Sequence, residues 1–240
     1  MNAEQYYQRN VVLHGQTMVK GEQRNFLELP VAPSEMDYAL QWLQQEGIEG
    51  SIIDVGCAGL RLLASAAWFK ARAGVDIVSF PAWAGHPTID ARICNLDEGA
   101  LPHADESFDA VTSLMVVEHV FDPYHAVREL RRVCKPGGRV IIGVPNLAGI
   151  KRRMELLCGK LPITSSQNSF TEGGWDGYHL HNFTQQSLDW LLRKEGLTPV
   201  RWAAQGRFKW FKQSWPALFG NDLIVMARKS EPQPTLTYPQ

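Results

Sequence analysis

Two apolar runs constrain this chain more than any other feature: FDAVTSLMVV from Phe108 and GRVIIGVP from Gly138 are almost unbroken. A strand with one wet face alternates apolar and polar residues, whereas a strand covered on both faces reads as a continuous apolar run. The pair therefore predicts central strands of a parallel sheet lying between helix layers. Shorter runs fit the same sheet: SIIDV at 51–55, AGVDI at 73–77, ARICNLD at 91–97, and two segments near 198–202 and 222–227.

Helical signals fall between these runs. Ser34 can cap a helix in which Met36, Ala39, Leu40 and Leu43 recur at helical spacing, and Gly47 stops it. After SIIDVGCAGL the stretch RLLASAAWFKARAG places Leu63, Ala64, Ala67 and Trp68 on one face. Asp122 caps a third helix with Pro123 at its first position and Val127, Leu130 and Cys134 as its buried stripe, before Lys135-Pro136-Gly137-Gly138 turns into the next strand. Thr184 caps a fourth, carrying Leu188, Leu191 and Leu192 to Gly196. This alternation is an α/β fold with helices on both faces, and ligands in such sheets bind outside the carboxyl ends of the strands.

Two segments break the alternation and are expected to cap the site: a glycine-rich polar insertion from Asn146 to Asn182, and Ala203 to Asn221 with Phe208, Trp210, Phe211, Trp215 and Phe219. The proline-rich tail SEPQPTLTYPQ is expected to be disordered.

Composition removes several function classes. A net charge of −1 over 240 residues offers no global field for a polyanion, so no nucleic-acid partner is expected. Cys57, Cys94, Cys134 and Cys158 never form a C-x-x-C pair and read as reduced thiols. No stretch reaches the length of a membrane span and the N-terminus lacks a signal-peptide core, so the sequence reads as a soluble cytoplasmic protein without a transmembrane segment.

The chemistry concentrates at the strand ends. Asp54-Val55-Gly56-Cys57-Ala58-Gly59 puts an acid and then small residues in the first strand-to-helix turn, where backbone can approach a ligand. Asp76, ending the second strand, is placed to accept both hydroxyls of a ribose. Both features suit NAD and S-adenosylmethionine equally.

LPHADESFDAV followed by VVEHVFDPYHAVRELRRVCKPGGRVIIGVPN resembles the class I S-adenosylmethionine-dependent methyltransferases, specifically the small-molecule group with SFD, EHV and KPGG motifs, over about residues 50 to 200. The resemblance implies a Rossmann-like seven-stranded, mostly parallel sheet whose antiparallel strand is Asp222 to Ala227, with a methyltransferase domain over 33–229 behind an N-terminal segment 1–32 and before the tail 230–240. It implies S-adenosylmethionine as cofactor: Asp54, Gly56, Cys57, Ala58 and Gly59 against the methionine part, Asp76 on the ribose, Asn95, Leu96 and Asp97 at the adenine, and Leu114 and Met115 beneath the sulfonium. Three departures stand out. Ala58 and Leu60 replace the later glycines of the usual turn, Asn95 stands where an acid is expected, and FPAWAGHPTID replaces the helix between the second and third strands.

A hydroxyl acceptor must lose its proton, which makes His119, His179 and His181 the candidate bases. His179 and His181 sit on one face of an extended segment and can bind substrate or, with Glu118, a metal, but no metal is expected. Lys151-Arg152-Arg153 reads as a solvated helix face. A short-chain dehydrogenase is excluded because none of the six tyrosines has a lysine four residues on. The expected activity is methyl transfer to a small-molecule or glycan acceptor at oxygen; the competing reading is a non-catalytic binding domain whose cofactor site has degenerated through Leu60 and Asn95.

Overall fold

The computed structural model describes residues 34–164, 179–205 and 215–238. The N-terminal segment 1–33, residues 165–178 of the expected first cap and the aromatic residues Phe208, Trp210 and Phe211 of the second lie outside the described residues. In chain order the elements are α1 (Glu35–Gln45), β1 (Ser51–Val55), α2 (Arg61–Ser65), β2 (Ala71–Asp76), a 3-10 turn (Pro81–Gly85) and β3 (Asp90–Ile93). There follow β4 (Phe108–Leu114), α3 (Pro123–Val133), β5 (Cys134–Pro145), α4 (Ile150–Leu157), α5 (Gln185–Lys194), β6 (Leu197–Gln205), α6 (Pro216–Phe219) and β7 (Asp222–Lys229).

The strands form one sheet in the order β3-β2-β1-β4-β5-β7-β6. β1 to β5 pair in parallel, while β7 runs antiparallel to both β5 and β6. Successive strand residues point to opposite faces, and the two cores follow that period. Val111, Ile142 and Val225 pack under α3 and α5 against Leu130, Leu188 and Leu192. Their neighbours Ala110, Ile141 and Ile224 face the other way, onto Trp42 and Leu43 of α1 and Leu63 of α2. Fully burying a side chain such as Leu43 contributes about 1.5–3 kcal/mol, so this double cover is the main source of stability.

The expected caps form as read. Ser34 and Asp37 close a capping box on α1, Asp122 accepts from Tyr124 and His125 at the start of α3, and Thr184 pairs with Ser187 at the start of α5. Three elements differ from the sequence reading. Helix α2 stops at Ser65, because the Trp68 indole donates to the Ile48 carbonyl (3.1 Å) and the chain turns at once into β2; Ala66 and Phe69 are buried in place of Ala64 and Ala67. β5 starts at Cys134, which pairs with Phe108; Lys135–Gly138 then bulges out before Arg139 pairs with Ala110. The tail through Tyr238, expected to be disordered, lies along α3 and α5. Arg131 donates to the Ser230 carbonyl, Trp190 Nε1 donates to the Leu236 carbonyl, and the Trp190 and Tyr238 rings meet edge-on at 5.5 Å. Composition counts only the tail's own apolar content and misses anchors supplied by the helices.

Candidate cofactor and acceptor site

Strand order reverses between β1 and β4, so the crevice above their carboxyl ends is where a ligand fits this sheet. The turn after β1 shapes its floor. Gly56 has φ 83, and a Cβ there would meet Val116 Cγ2 at 2.2 Å, so a side chain would close the approach between the β1 and β4 loops. Gly56 and Cys57 both donate to the Val75 carbonyl, tying the turn to β2. Asp76 Oδ2 accepts from the Ala58 amide (2.9 Å) and Oδ1 from Val78 (3.4 Å). A carboxylate oxygen carries two acceptor sites, so this bracing still leaves Asp76 capacity for a ligand hydroxyl. Burial pushes its carboxyl above the usual carboxylate range.

Leu60 resolves the crowding implied by the missing glycine. Its backbone is left-handed (φ 65), the conformation a glycine would take, while its side chain is fully buried with Trp42, Leu43 and Leu63 under α1. Trp83, in the 3-10 turn that replaces a helix, donates through Nε1 to the Ala58 carbonyl (2.7 Å) and braces the same turn from outside. Nothing in the sequence pattern announces that bond.

The other expected cofactor residues divide by role. Asp54 is buried and turned to Thr112 of β4, whose hydroxyl donates to Oδ1 at 2.6 Å; burial pushes its carboxyl up to about 7. Leu96 enters the core, Asn95 Oδ1 accepts from the Asp97 amide, and Asp97 Oδ1 accepts from the Phe121 amide (2.8 Å), linking the β3 and β4 loops. Leu114 and Met115 are half-buried at the end of β4, where Met115 (φ 60) donates to the Gly143 carbonyl.

Beside this crevice the β4 loop and the segment before α5 meet. The Glu118 carbonyl accepts from the Leu180 and His181 amides, which brings the two expected histidine groups together. His119 and His179 stack edge-on at 4.9 Å, and Thr164 Oγ1 bonds His179 Nδ1. His181 turns aside, its Nε2 lying 3.3 Å from the Phe121 carbonyl. The Glu118 side chain is fully buried, neither oxygen has a hydrogen-bond partner among the described residues, and His119 Nε2 is 3.9 Å from Oε1. Ligand atoms of Glu118, His119 and His179 lie within 4.8 Å of one another, a separation that a cation held between them could bridge. Burial, reinforced by Asp222 and Glu35, pushes Glu118 up to about 8.

Glu35 and Asp222 form a neighbouring acidic pair at the starts of α1 and β7. The Gln205 amide, oriented nitrogen inward, donates to Glu35 Oε1 (2.5 Å) and Asp222 Oδ2 (2.8 Å). Burial, with the adjacent Asp222, raises Glu35 to about 7. The sequence reading passed over this pair and the isolation of Glu118, because residues distant in sequence create both.

Residues 53–142 match the family model for a methyltransferase domain. The ubiquinone biosynthesis O-methyltransferase of Alkalilimnicola ehrlichii is 36% identical over 126 residues, covering 48% of this chain and 49% of that protein. Its counterpart from Ruegeria pomeroyi is 31% identical over 160 residues, 62% of this chain and 60% of that protein. The chain thus spans about half the length of the first curated relatives it matches. In three dimensions it is similar to the Burkholderia thailandensis 1,6-didemethyltoxoflavin-N1-methyltransferase, solved with 1,6-didemethyltoxoflavin and S-adenosylhomocysteine bound (TM-score 0.64, 18% identity, 96% of this chain and 92% of that one). A methyltransferase structure from Thermotoga maritima gives a TM-score of 0.57 at 19% identity, covering 82% of this chain and 88% of that one. The segment 53–142 is thus similar to a methyltransferase domain, and the sheet built around it has the fold of these solved methyltransferases.

Proposed function

We propose that the chain is an S-adenosylmethionine-dependent methyltransferase acting on a hydroxyl of a small-molecule or saccharide acceptor. The observation that carries the cofactor half is the Gly56–Leu60 turn, kept open by a glycine that tolerates no Cβ and fastened to Asp76 through the Ala58 amide. The competing reading of a degenerate site needs Leu60 to fill that turn, and its side chain is in the core instead. Transfer to oxygen is supported by the names of the curated relatives.

The cofactor supplies an electrophilic methyl on a sulfonium. In this reading Asp76 binds the ribose hydroxyls with the lone pairs its bracing bonds leave. Gly56 to Gly59 receive the methionine part, Asn95 to Asp97 border the adenine, and Leu114 and Met115 exclude water beneath the reacting centre. His119, half-buried beside that centre, takes the acceptor's proton, because a neutral imidazole is the base suited to neutral pH. Glu118, whose carboxyl burial holds in its uncharged form, lies beside His119 and leaves the imidazole neutral and able to accept that proton.

Asp76→Ala is expected to weaken S-adenosylhomocysteine binding by about 1.5–3 kcal/mol, the cost of losing hydrogen bonds to a charged group, as read by calorimetry. Unchanged affinity removes Asp76 from the site. Once an acceptor is in hand, His119→Asn is expected to lower turnover about 10²-fold with cofactor affinity nearly unchanged. Full turnover there, with loss in His179→Asn, moves the base to the cap.

A further inference from the structure

Helix α4 is built inside out. Ile150, Met154 and Leu157 follow i, i+4, i+7 spacing and share about 60° of the helix circumference. On a helix of a soluble domain that stripe faces the core. Here no residue of α4 is buried, and these three are 43%, 50% and 79% exposed. The side turned to the body is polar: Arg152 Nη1 donates to the Asn146 carbonyl (2.7 Å) and the Asn221 carbonyl (2.6 Å), fixing the helix to the ends of β5 and β7. With Leu156 and Leu161, the segment 150–161 holds five of the ten large apolar side chains exposed among the described residues, a concentration that scattered surface apolar residues do not give.

Charge says what this surface fits. Lys151 and Arg153 flank the apolar stripe and Lys160 follows it, so apart from Arg152, which is turned to the body, the segment carries three cations against one acid, Glu155, which lies 3.6 Å from Lys151, in a chain whose net charge is −1. A protein interface would account for the apolar stripe without the cations, and a nucleic-acid surface for the cations without the stripe. Apolar residues flanked by Lys and Arg suit the boundary of an anionic bilayer, where the stripe enters the acyl edge and the cations meet headgroup phosphates.

We propose that α4 and the turn to Leu161 form a peripheral docking surface for an anionic lipid bilayer. Docking there sets the carboxyl end of the sheet, with the candidate site, toward the membrane surface, because Arg152 fastens α4 to that end. The proposal does not depend on the methyl-transfer reading.

The test is co-sedimentation of the full chain with phosphatidylcholine vesicles containing about one-third phosphatidylglycerol, against phosphatidylcholine alone, at low salt and at about 0.5 M salt. The chain is expected to pellet with the anionic vesicles only, and to be released by salt. Met154→Ser with Leu157→Ser, and separately Lys151→Glu with Lys160→Glu, are each expected to lower partitioning about ten-fold or more, since each cation near such a surface is worth roughly five-fold. These side chains are exposed, so the melting temperature and S-adenosylhomocysteine binding are expected to stay as in the unmodified chain. Absence of pelleting, equal pelleting with neutral vesicles, or partitioning unchanged in both variants overturns the proposal. So does a dimer in solution that Met154→Ser with Leu157→Ser dissolves, because the stripe is then a contact between copies.

Discussion

Leu60 shows how one residue separates backbone duty from side-chain duty. At φ 65 its backbone makes the left-handed step of the β1–α2 turn, a conformation costing roughly 1–2 kcal/mol in any residue with a Cβ. Its buried side chain more than offsets that cost, since emptying a core leucine site loses about 2–5 kcal/mol. Leu60→Gly is therefore expected to lower stability by roughly 1–3 kcal/mol in urea unfolding and to leave S-adenosylhomocysteine affinity unchanged; a large gain in affinity would mean that the side chain does crowd the ligand. Gly56 is the opposite case. A Cβ there would lie 2.2 Å from Val116 Cγ2, at a φ of 83 that other residues resist, so Gly56→Ala pushes the β4 loop away from the turn. Calorimetry on Gly56→Ala is expected to find the ligand site lost or weakened at least ten-fold, and wild-type affinity would detach this turn from cofactor binding.

Among elements, the 3-10 turn Pro81–Gly85 stands where a helix would usually connect the second and third strands, and it contributes one directed bond, from Trp83 to the Ala58 carbonyl. Removing a single neutral hydrogen bond costs about 0.5–1.5 kcal/mol. Trp83→Phe keeps an aromatic ring beside Phe80 and is expected to reduce S-adenosylhomocysteine affinity about three- to ten-fold. An unaltered dissociation constant would show the brace to be irrelevant to the turn. Elements governed by local rules were legible from sequence: α1 from Ser34, α3 from Asp122 and Pro123, α5 from Thr184, and the central strands from continuous apolar runs. Elements decided by distant partners were not. α2 ends early because Trp68 reaches Ile48, and the tail is placed by Arg131 and Trp190. The same division holds at the candidate site. Strand-end residues such as Asp76 could be read from position alone, but the meeting of Glu118, His119 and His179 depends on the path of an insertion, and the carboxyl pair of Glu35 and Asp222 joins the two ends of the domain.

Over the whole molecule, three carboxyls are held protonated well above the ordinary carboxylate range: Asp54 and Glu35 to about 7 and Glu118 to about 8, each chiefly by burial. An acid whose folded pKa is raised binds its proton more tightly in the folded chain than in the unfolded one. Its contribution to stability is complete below the unfolded value and is lost as pH rises through the folded value. The carboxylates that fall below their ordinary values, Asp90, Asp109 and Glu129, finish titrating at more acid pH and add no slope in this window. His103, held below the usual histidine range chiefly by burial, works in the opposite direction, one group against these three and Asp76, which burial also raises. The urea midpoint is therefore expected to fall between about pH 5 and pH 8.5, the reverse of a domain stabilised by paired carboxylates. Glu118→Gln isolates the largest contribution, because it keeps the shape of the protonated side chain and cannot ionise. At pH 5 its stability is expected to match the unmodified chain; at pH 8.5 it is expected to be the more stable by about 1–3 kcal/mol, with a flatter profile between. A midpoint that does not fall with pH in the unmodified chain, or a Glu118→Gln profile parallel to it, would show that Glu118 is ionised in the folded state and has a cationic partner.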